Sequence, residues 1–270
     1  MTTAAPPQYT VTDDELQAIA ARIGIQSFPV VLGIRPRHGT VEMLTAALDH
    51  ATGTLVSRGL ITDGEVSAEL VPLLQALQRP DRELAMRLVT PEGIARLALV
   101  RRGRLAVLAR RVGNEIALRV IEGDGGLDTV TRALLAELPR AEAAQVTPVG
   151  APLETMSQNL SGTHDPAQLA DRIRALGAEP RAAMLLGSAL ASRAAFAEIV
   201  YYALSADADR ISRRPAAVGV FYTKRGRIVG APSASPSGQL WSTLKPGSDH
   251  AIGQAIGQLV ELSDGGWGCF

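Results

Sequence analysis

The side chains of this 270-residue chain best suited to hold a metal are four histidines and one cysteine. His38, His50, His164 and His250 are scattered, and none stands at zinc-ligand spacing from another or from Cys269. Ser161 comes nearest to a nucleophile. A nucleophile elbow needs glycines flanking the serine so that a strained turn fits, yet Asn159-Leu160-Ser161-Gly162 has asparagine where the first glycine belongs. The stretch therefore reads as a loop ahead of a helix cap. Gly123-Asp124-Gly125-Gly126-Leu127-Asp128 suggests a phosphate or calcium loop. It lacks the lysine of a phosphate loop, the glycine spacing of a dinucleotide fold and the alternating carboxylates of a calcium loop. A hydrolase using Ser161, or the acid pair Asp207 and Asp209, is the alternative these residues leave open. No metal, cofactor or catalytic residue is expected.

Other residues suit binding better than bond-breaking. Arg101, Arg102 and Arg104 surround one hairpin tip, and Arg110 and Arg111 lie at the far end of the same strand. Such groups can grip phosphate or carboxylate bidentately. Without interleaved aromatics or a net basic charge they read instead as solvated hairpin ends that discourage edge pairing. Tyr201 and Tyr202 are adjacent in a strand-like run and so point to opposite faces. Aromatic residues make up only 4% of the chain, so an outward tyrosine is a candidate anchor for a partner. The apolar run 182–191 offers a similar choice between core and partner groove.

The elements that would position these residues follow from caps and periodicity. Thr12-Asp13-Asp14-Glu15 is a capping-box signature, followed by Leu16, Ile19 and Ile23 at helical spacing and a stop at Gly24. Phe28 to Ile34 reads as a short edge strand, 41–57 and 67–77 as helices. From Arg82 the period changes to two. Runs 82–89, 94–100, 104–110 and 115–121 form an antiparallel meander with short turns, and Asp128 caps the helix after it. Asp165-Pro166 and Pro180 each open a further helix. A second sheet pattern occupies 195–204, 216–223, 227–232 and 239–244, closed by a helix from Ser248 or Asp249.

The two sheet patterns are related. Gly103 and Gly226, Gly113 and Gly238, Gly126 and Gly247, and Leu138 and Leu262 are each separated by 121 to 125 positions. The chain thus reads as two related halves, about 10–139 and 153–267, joined by a linker at 139–152, with residues 1–9 as a disordered lead-in. Lys+Arg and Asp+Glu both number 27, so no global field steers the protein to nucleic acid. All but two of the basic residues are arginine, a bias of GC-rich genomes such as those of actinobacteria. One cysteine and an N-terminus without a basic or apolar stretch suggest a reducing cytoplasm. The longest apolar run spans about ten residues where a membrane helix needs about 20, so no membrane insertion is expected.

Taken in order, several short motifs resemble the EspG family, the cytosolic chaperones of mycobacterial type VII (ESX) secretion. They are Phe28-Pro29-Val30-Val31-Leu32-Gly33-Ile34-Arg35-Pro36, Arg79-Pro80-Asp81-Arg82, Arg101-Arg102-Gly103, Ala197-Glu198-Ile199-Val200, Gly226-Arg227 and Leu244-Lys245-Pro246-Gly247-Ser248-Asp249. Similarity is greatest to the ESX-1-type branch. The resemblance implies a mixed α/β (α+β) fold, quasi-two-fold symmetric, with a central antiparallel β-sheet and N-terminal and C-terminal helical bundles, residues 10–270 forming one domain. It also implies that the chain binds the tip of the PPE subunit of a PE–PPE heterodimer, prevents self-association and directs the pair to its secretion machine. Secretion ATPase components are a further expected partner. In the family the cargo docks between the sheet and the C-terminal helical bundle. On this sequence that surface falls on Leu185, Leu186, Ala189 and Ser192, on Tyr201 and Tyr202, and on Arg210, Arg213 and Arg214. The first connection of the meander, Thr90 to Gly93, is shorter than in some relatives, which removes any contact that loop makes elsewhere.

Overall fold

A computed structural model describes residues 8–35, 37–205, 210–213, 215–263 and 266–268. Among these are eight α-helices and thirteen strands, a mixed α/β architecture with antiparallel strand pairing throughout the ladders described below. The chain divides into two compact units. Residues 8–85 and 95–125 make the first, 86–94 and 126–268 the second.

The first unit opens with β1 (Gln8–Thr12), so Gln8 and Tyr9 belong to a strand rather than to a lead-in. Helix α1 (Asp13–Ile23) follows at once, and its capping box forms: Thr12 Oγ1 accepts from the Glu15 amide at 3.2 Å, while Glu15 accepts from the Thr12 amide at 2.8 Å. Next come α2 (Val41–Ser57), the small hairpin β2 (Ile61–Thr62) and β3 (Glu65–Val66), and α3 (Leu70–Gln78). Strand β4 (Arg82–Thr90) is followed by β5 (Gly93–Arg102), β6 (Leu105–Val112) and β7 (Glu115–Val120). Within this unit β1 pairs with β7, β7 with β6 and β6 with β5. The core joins Leu16 and Ile19 of α1, Leu55 of α2 and Leu70, Leu74 and Leu77 of α3 to the strand residues Ala98, Val100, Val107 and Ala109.

The stretch 28–34 is not a strand. Val30–Leu32 makes one 3-10 turn closed by Gly33 at φ 60°, a backbone conformation that favours glycine. Carbonyls that a strand would direct to a neighbouring chain are met by guanidinium groups. Arg111 donates to Leu32 at 2.7 Å and Gly33 at 2.8 Å, and Arg96 to Val31 at 3.3 Å. Arg111 also donates to Asp13 at 2.6 Å from a buried position. Arg101 and Arg111 are therefore buried groups, not solvated hairpin ends; the backbone carbonyls and Asp13 give Arg111 the partners a buried charge requires.

In the second unit α4 (Leu127–Leu135) is capped at Gly126, with Asp128 inside its first turn. The expected linker carries structure: Ala143 bridges to Arg227, and β8 (Val149–Pro152) leads directly into α5 (Leu153–Leu160). Helix α6 (Pro166–Ala175) starts where expected, Asp165 accepting from the Gln168 amide at 2.8 Å. It packs against α7 (Pro180–Ala191) at close range. The strands are β9 (Ala195–Ser205), β10 (Arg210–Ser212), β11 (Val218–Thr223), β12 (Gly226–Ala234) and β13 (Leu240–Pro246), followed by α8 (Asp249–Glu261). Here β8 pairs with β13, β13 with β12, β12 with β11, β11 with β9 and β9 with β10.

The internal repeat is therefore longer than the hairpins that reveal it. Edge strand β1 running into α1 has its counterpart in β8 running into α5, and each edge strand pairs with the last strand of its meander. The closing helix of the first copy, α4, lies in the second unit beside α8. A β-carbon on Gly253 of α8 would sit 3.7 Å from Thr131 Cγ2 and 4.0 Å from Leu135 Cδ1.

Candidate partner-binding surface

Strand β9 sorts its side chains by the two-residue period of an extended chain. Ala195, Ala197, Ile199, Tyr201 and Ala203 are buried; Phe196, Val200, Tyr202 and Leu204 are half-buried, and Glu198 is exposed. Tyr201 is 2% exposed, its hydroxyl donates to the Gly266 carbonyl at 2.6 Å, and its ring lies 5.9 Å from that of Trp267. Tyr201 is thus a core residue and cannot itself face a partner. Tyr202 occupies the other face, with the Arg213 guanidinium 5.9 Å from its ring centroid. That separation is within cation–π range.

Beside this face the second unit opens a cleft of about 930 Å³. One wall is the start of α5, with Leu153, Glu154, Ser157 and Gln158. Glu198 of β9, Leu240 of β13, Arg213, Pro215 and Ala217 complete the lining. Apolar Pro152, Leu153, Ala217 and Leu240 combine with charged and amide groups around them, the composition of a small protein-recognition pocket. Ser161 caps the far end of α5 and donates its hydroxyl to the Gln158 carbonyl at 3.1 Å, a helix-end bond with no base involved.

Helix α7 presents two different faces. Its 3.6-residue period directs Ala182, Ala183, Leu186, Ala189 and Leu190 inward. Leu186 and Ala189, expected at the partner surface, are packed in the cluster that includes Ile228, Leu244, Leu169 and Ile173. Leu185 is half-buried, and Ser192 is half-buried with its hydroxyl donating to the Ala189 carbonyl at 2.8 Å. Met184, within the stretch 181–192 that the family resemblance maps to the partner surface, is 66% exposed. It stands one position before Leu185, where a stripe count would have placed an outward residue.

Of the residues expected at the surface, the structure brings Tyr202 and Arg213 together. Arg210 opens β10, its backbone paired with Ser205 of β9. Arg214, Asp207 and Asp209 lie outside the described residues. The α5 wall was missed with α5 itself. Leu153, Met156 and Leu160, at helical spacing, carried the signal, but no polar cap residue precedes them and Pro152 hides the start. Among the described residues no group of three His, Cys, Asp or Glu side chains could hold a metal ion, and no helix is long and apolar enough to cross a membrane.

With this geometry in place, the relatives are informative. The model of the EspG family matches residues 12–258. The chain belongs to the EspG family. It is 26% identical over 260 residues to ESX-1 secretion-associated protein EspG1 of Mycobacterium tuberculosis, covering 95% of this chain and 87% of that protein. It is also 26% identical over 265 residues to ESX-3 secretion-associated protein EspG3 of Mycolicibacterium smegmatis, covering 97% and 89%. Relatives of both the ESX-1 and the ESX-3 kind thus match at the same level. Among solved structures, the fold is similar to that of the Mycobacterium tuberculosis type VII secretion system chaperone EspG5, in complex with the PE25–PPE41 dimer. The TM-score is 0.81 at 18% identity, over 96% of this chain and 98% of that one.

Proposed function

We propose that this protein is a cytoplasmic, secretion-specific chaperone that binds the PPE subunit of a PE–PPE heterodimer and directs it to an ESX secretion system. The observation that carries this reading is the extent of the family match: residues 12–258 include both copies of the repeat and every described wall of the cleft. The fold shared with EspG5, which is known in complex with the PE25–PPE41 dimer, supports it. We assign the contact to the cleft, to Tyr202 and Arg213, to Met184, Leu185 and Ser192 on α7, and to Arg210 and Arg214, which neighbour Arg213 in sequence. Leu186, Ala189 and Tyr201 hold this surface in shape from beneath. A specific interface covers about 800 Å² per partner, more than a cleft alone provides. Its core must cover an apolar tip while a polar rim keeps the free chaperone soluble. Export further requires release, which sets a limit on how slow dissociation can be.

Coexpression with the PE–PPE pairs encoded in the same genome tests this. The expected result is a stoichiometric ternary complex on size-exclusion chromatography, lost in the double variant Tyr202→Ala, Arg213→Glu. If no encoded pair copurifies with the wild-type chain, the function is wrong. If the double variant binds as the wild type does, the surface is wrong.

A further inference from the structure

Each copy of the repeat has a cleft at the same place. In the second copy it lies against Pro152, the residue capping α5, against Glu154 in the first turn, and against Gln239 and Leu240 where β13 begins. The first copy has a cleft of about 580 Å³ against Thr12, which caps α1, Glu15 in its first turn, and Asn114 and Glu115 where β7 begins. Both clefts thus lie at a helix cap, a first-turn carboxylate and a strand start, Glu154 being the second residue of α5 and Glu15 the third of α1.

The first of these clefts has an arginine in its lining, bonded to its carboxylate. Arg58, at the end of α2, reaches into it and donates to both carboxylate oxygens of Glu15 at 3.0 and 3.2 Å, and to the Thr10 carbonyl on the edge strand. Among the described residues no arginine is bonded to a carboxylate of the second cleft in this way. Glu154 and Glu198 both line it, and neither forms an ion pair among the described residues; Glu154 accepts one hydrogen bond, from Gln158 at 3.3 Å. Arg213 is the cation among its described lining residues, and its guanidinium lies over the Tyr202 ring. Among the described lining residues two carboxylates stand against one guanidinium.

We propose that the second cleft takes a basic side chain of the cargo, arginine in preference to lysine, seated on Glu154 and Glu198 as Arg58 is seated on Glu15. This rests on the chaperone reading for the identity of the partner, though not for the chemistry of the cleft. A planar guanidinium can bond a carboxylate and an edge-strand carbonyl at once, as Arg58 does, which a single ammonium does less well.

Two measurements test it. In the first, the isotope-labelled chain is titrated with Nα-acetyl-arginine amide and, separately, with its neutral isostere Nα-acetyl-citrulline amide, and backbone amide shifts are followed by NMR. The expected result is shifts at Leu153, Glu154, Glu198 and Leu240 with the arginine compound alone, abolished in the variant Glu154→Gln, Glu198→Gln. Equal shifts from both compounds, or shifts unchanged in the variant, overturn the proposal. In the second, the same variant is titrated with a PE–PPE pair at several salt concentrations. Affinity is expected to fall about tenfold or more, with a flatter dependence on salt. Wild-type affinity and salt slope in the variant exclude these carboxylates as cargo contacts. Failure of the chaperone reading would show differently: no pair would bind the wild type, while the arginine titration would stand.

Discussion

Replacing Tyr201 with phenylalanine would remove the donor to the Gly266 carbonyl while leaving the ring against Trp267. We expect a loss of about 1 kcal/mol in urea unfolding for Tyr201→Phe, and about 3–5 kcal/mol for Tyr201→Ala. Tyr202→Ala should leave the unfolding midpoint nearly unchanged and weaken cargo binding by about tenfold or more, as loss of an aromatic anchor does. Alternation along the strand was legible in the sequence and separated the two tyrosines. Which of them faced inward was not, because that depends on Gly266 and Trp267, more than sixty positions away. Glu83 carries a second prediction. It is 6% exposed, and burial pushes its carboxyl up to about 7 from an ordinary value of 4.5. Because the folded-state value is the higher one, stability contributed by the protonated form is fully present below about pH 4.5 and lost as pH rises through 7. Glu83→Gln should therefore be more stable than wild type by up to about 3 kcal/mol at pH 8.5 and indistinguishable from it near pH 4.5, measured by urea unfolding at both.

Helices announced by a side-chain cap were readable from sequence; of those without one, α3 and α4 were legible from their apolar spacing and α5 was not. Thr12, Thr40, Asp165 and Ser248 each accept a backbone amide at the start of α1, α2, α6 and α8. Helix α5 begins after a proline with no side-chain cap and went unread between the expected linker at 139–152 and the loop at 159–162, taking one wall of the cleft with it. Phe28 to Ile34 failed for another reason. A short apolar run does not distinguish a strand from a turn, and here the decision is made by Arg96 and Arg111 from the meander. The pairing of α6 with α7 depends on a residue that pattern reading treats as neutral. A β-carbon on Gly187 would lie 2.7 Å from the Ala170 amide nitrogen and 3.0 Å from the Pro166 carbonyl oxygen, backbone atoms that cannot turn aside. Gly187→Ala should cost about 1–3 kcal/mol by thermal or urea unfolding. The matched control is Gly257→Ala in α8, where nothing lies within 4 Å; it should gain about 1 kcal/mol from helix propensity.

Over the whole molecule, 27 basic and 27 acidic residues place the isoelectric point near 6.9. Proteins near zero net charge associate most readily, so light scattering of the free chain should show a solubility minimum close to pH 7, lifted on either side of it. The duplication was visible in the spacing of a few glycines, because hairpin turns tie glycine to fixed positions while the strands between them drift. The placement of α4 was not visible. It follows the first meander in the chain, yet its inward face, Val130, Thr131 and Leu134, is buried in the second unit beside the closing helix of the other copy. That arrangement bears on ancestry. A half-length precursor with a single copy would have carried one closing helix and no second to cover it, except on another molecule. The two copies differ at their clefts: in one Arg58 is bonded to Glu15, and in the other Glu154 and Glu198 form no ion pair among the described residues.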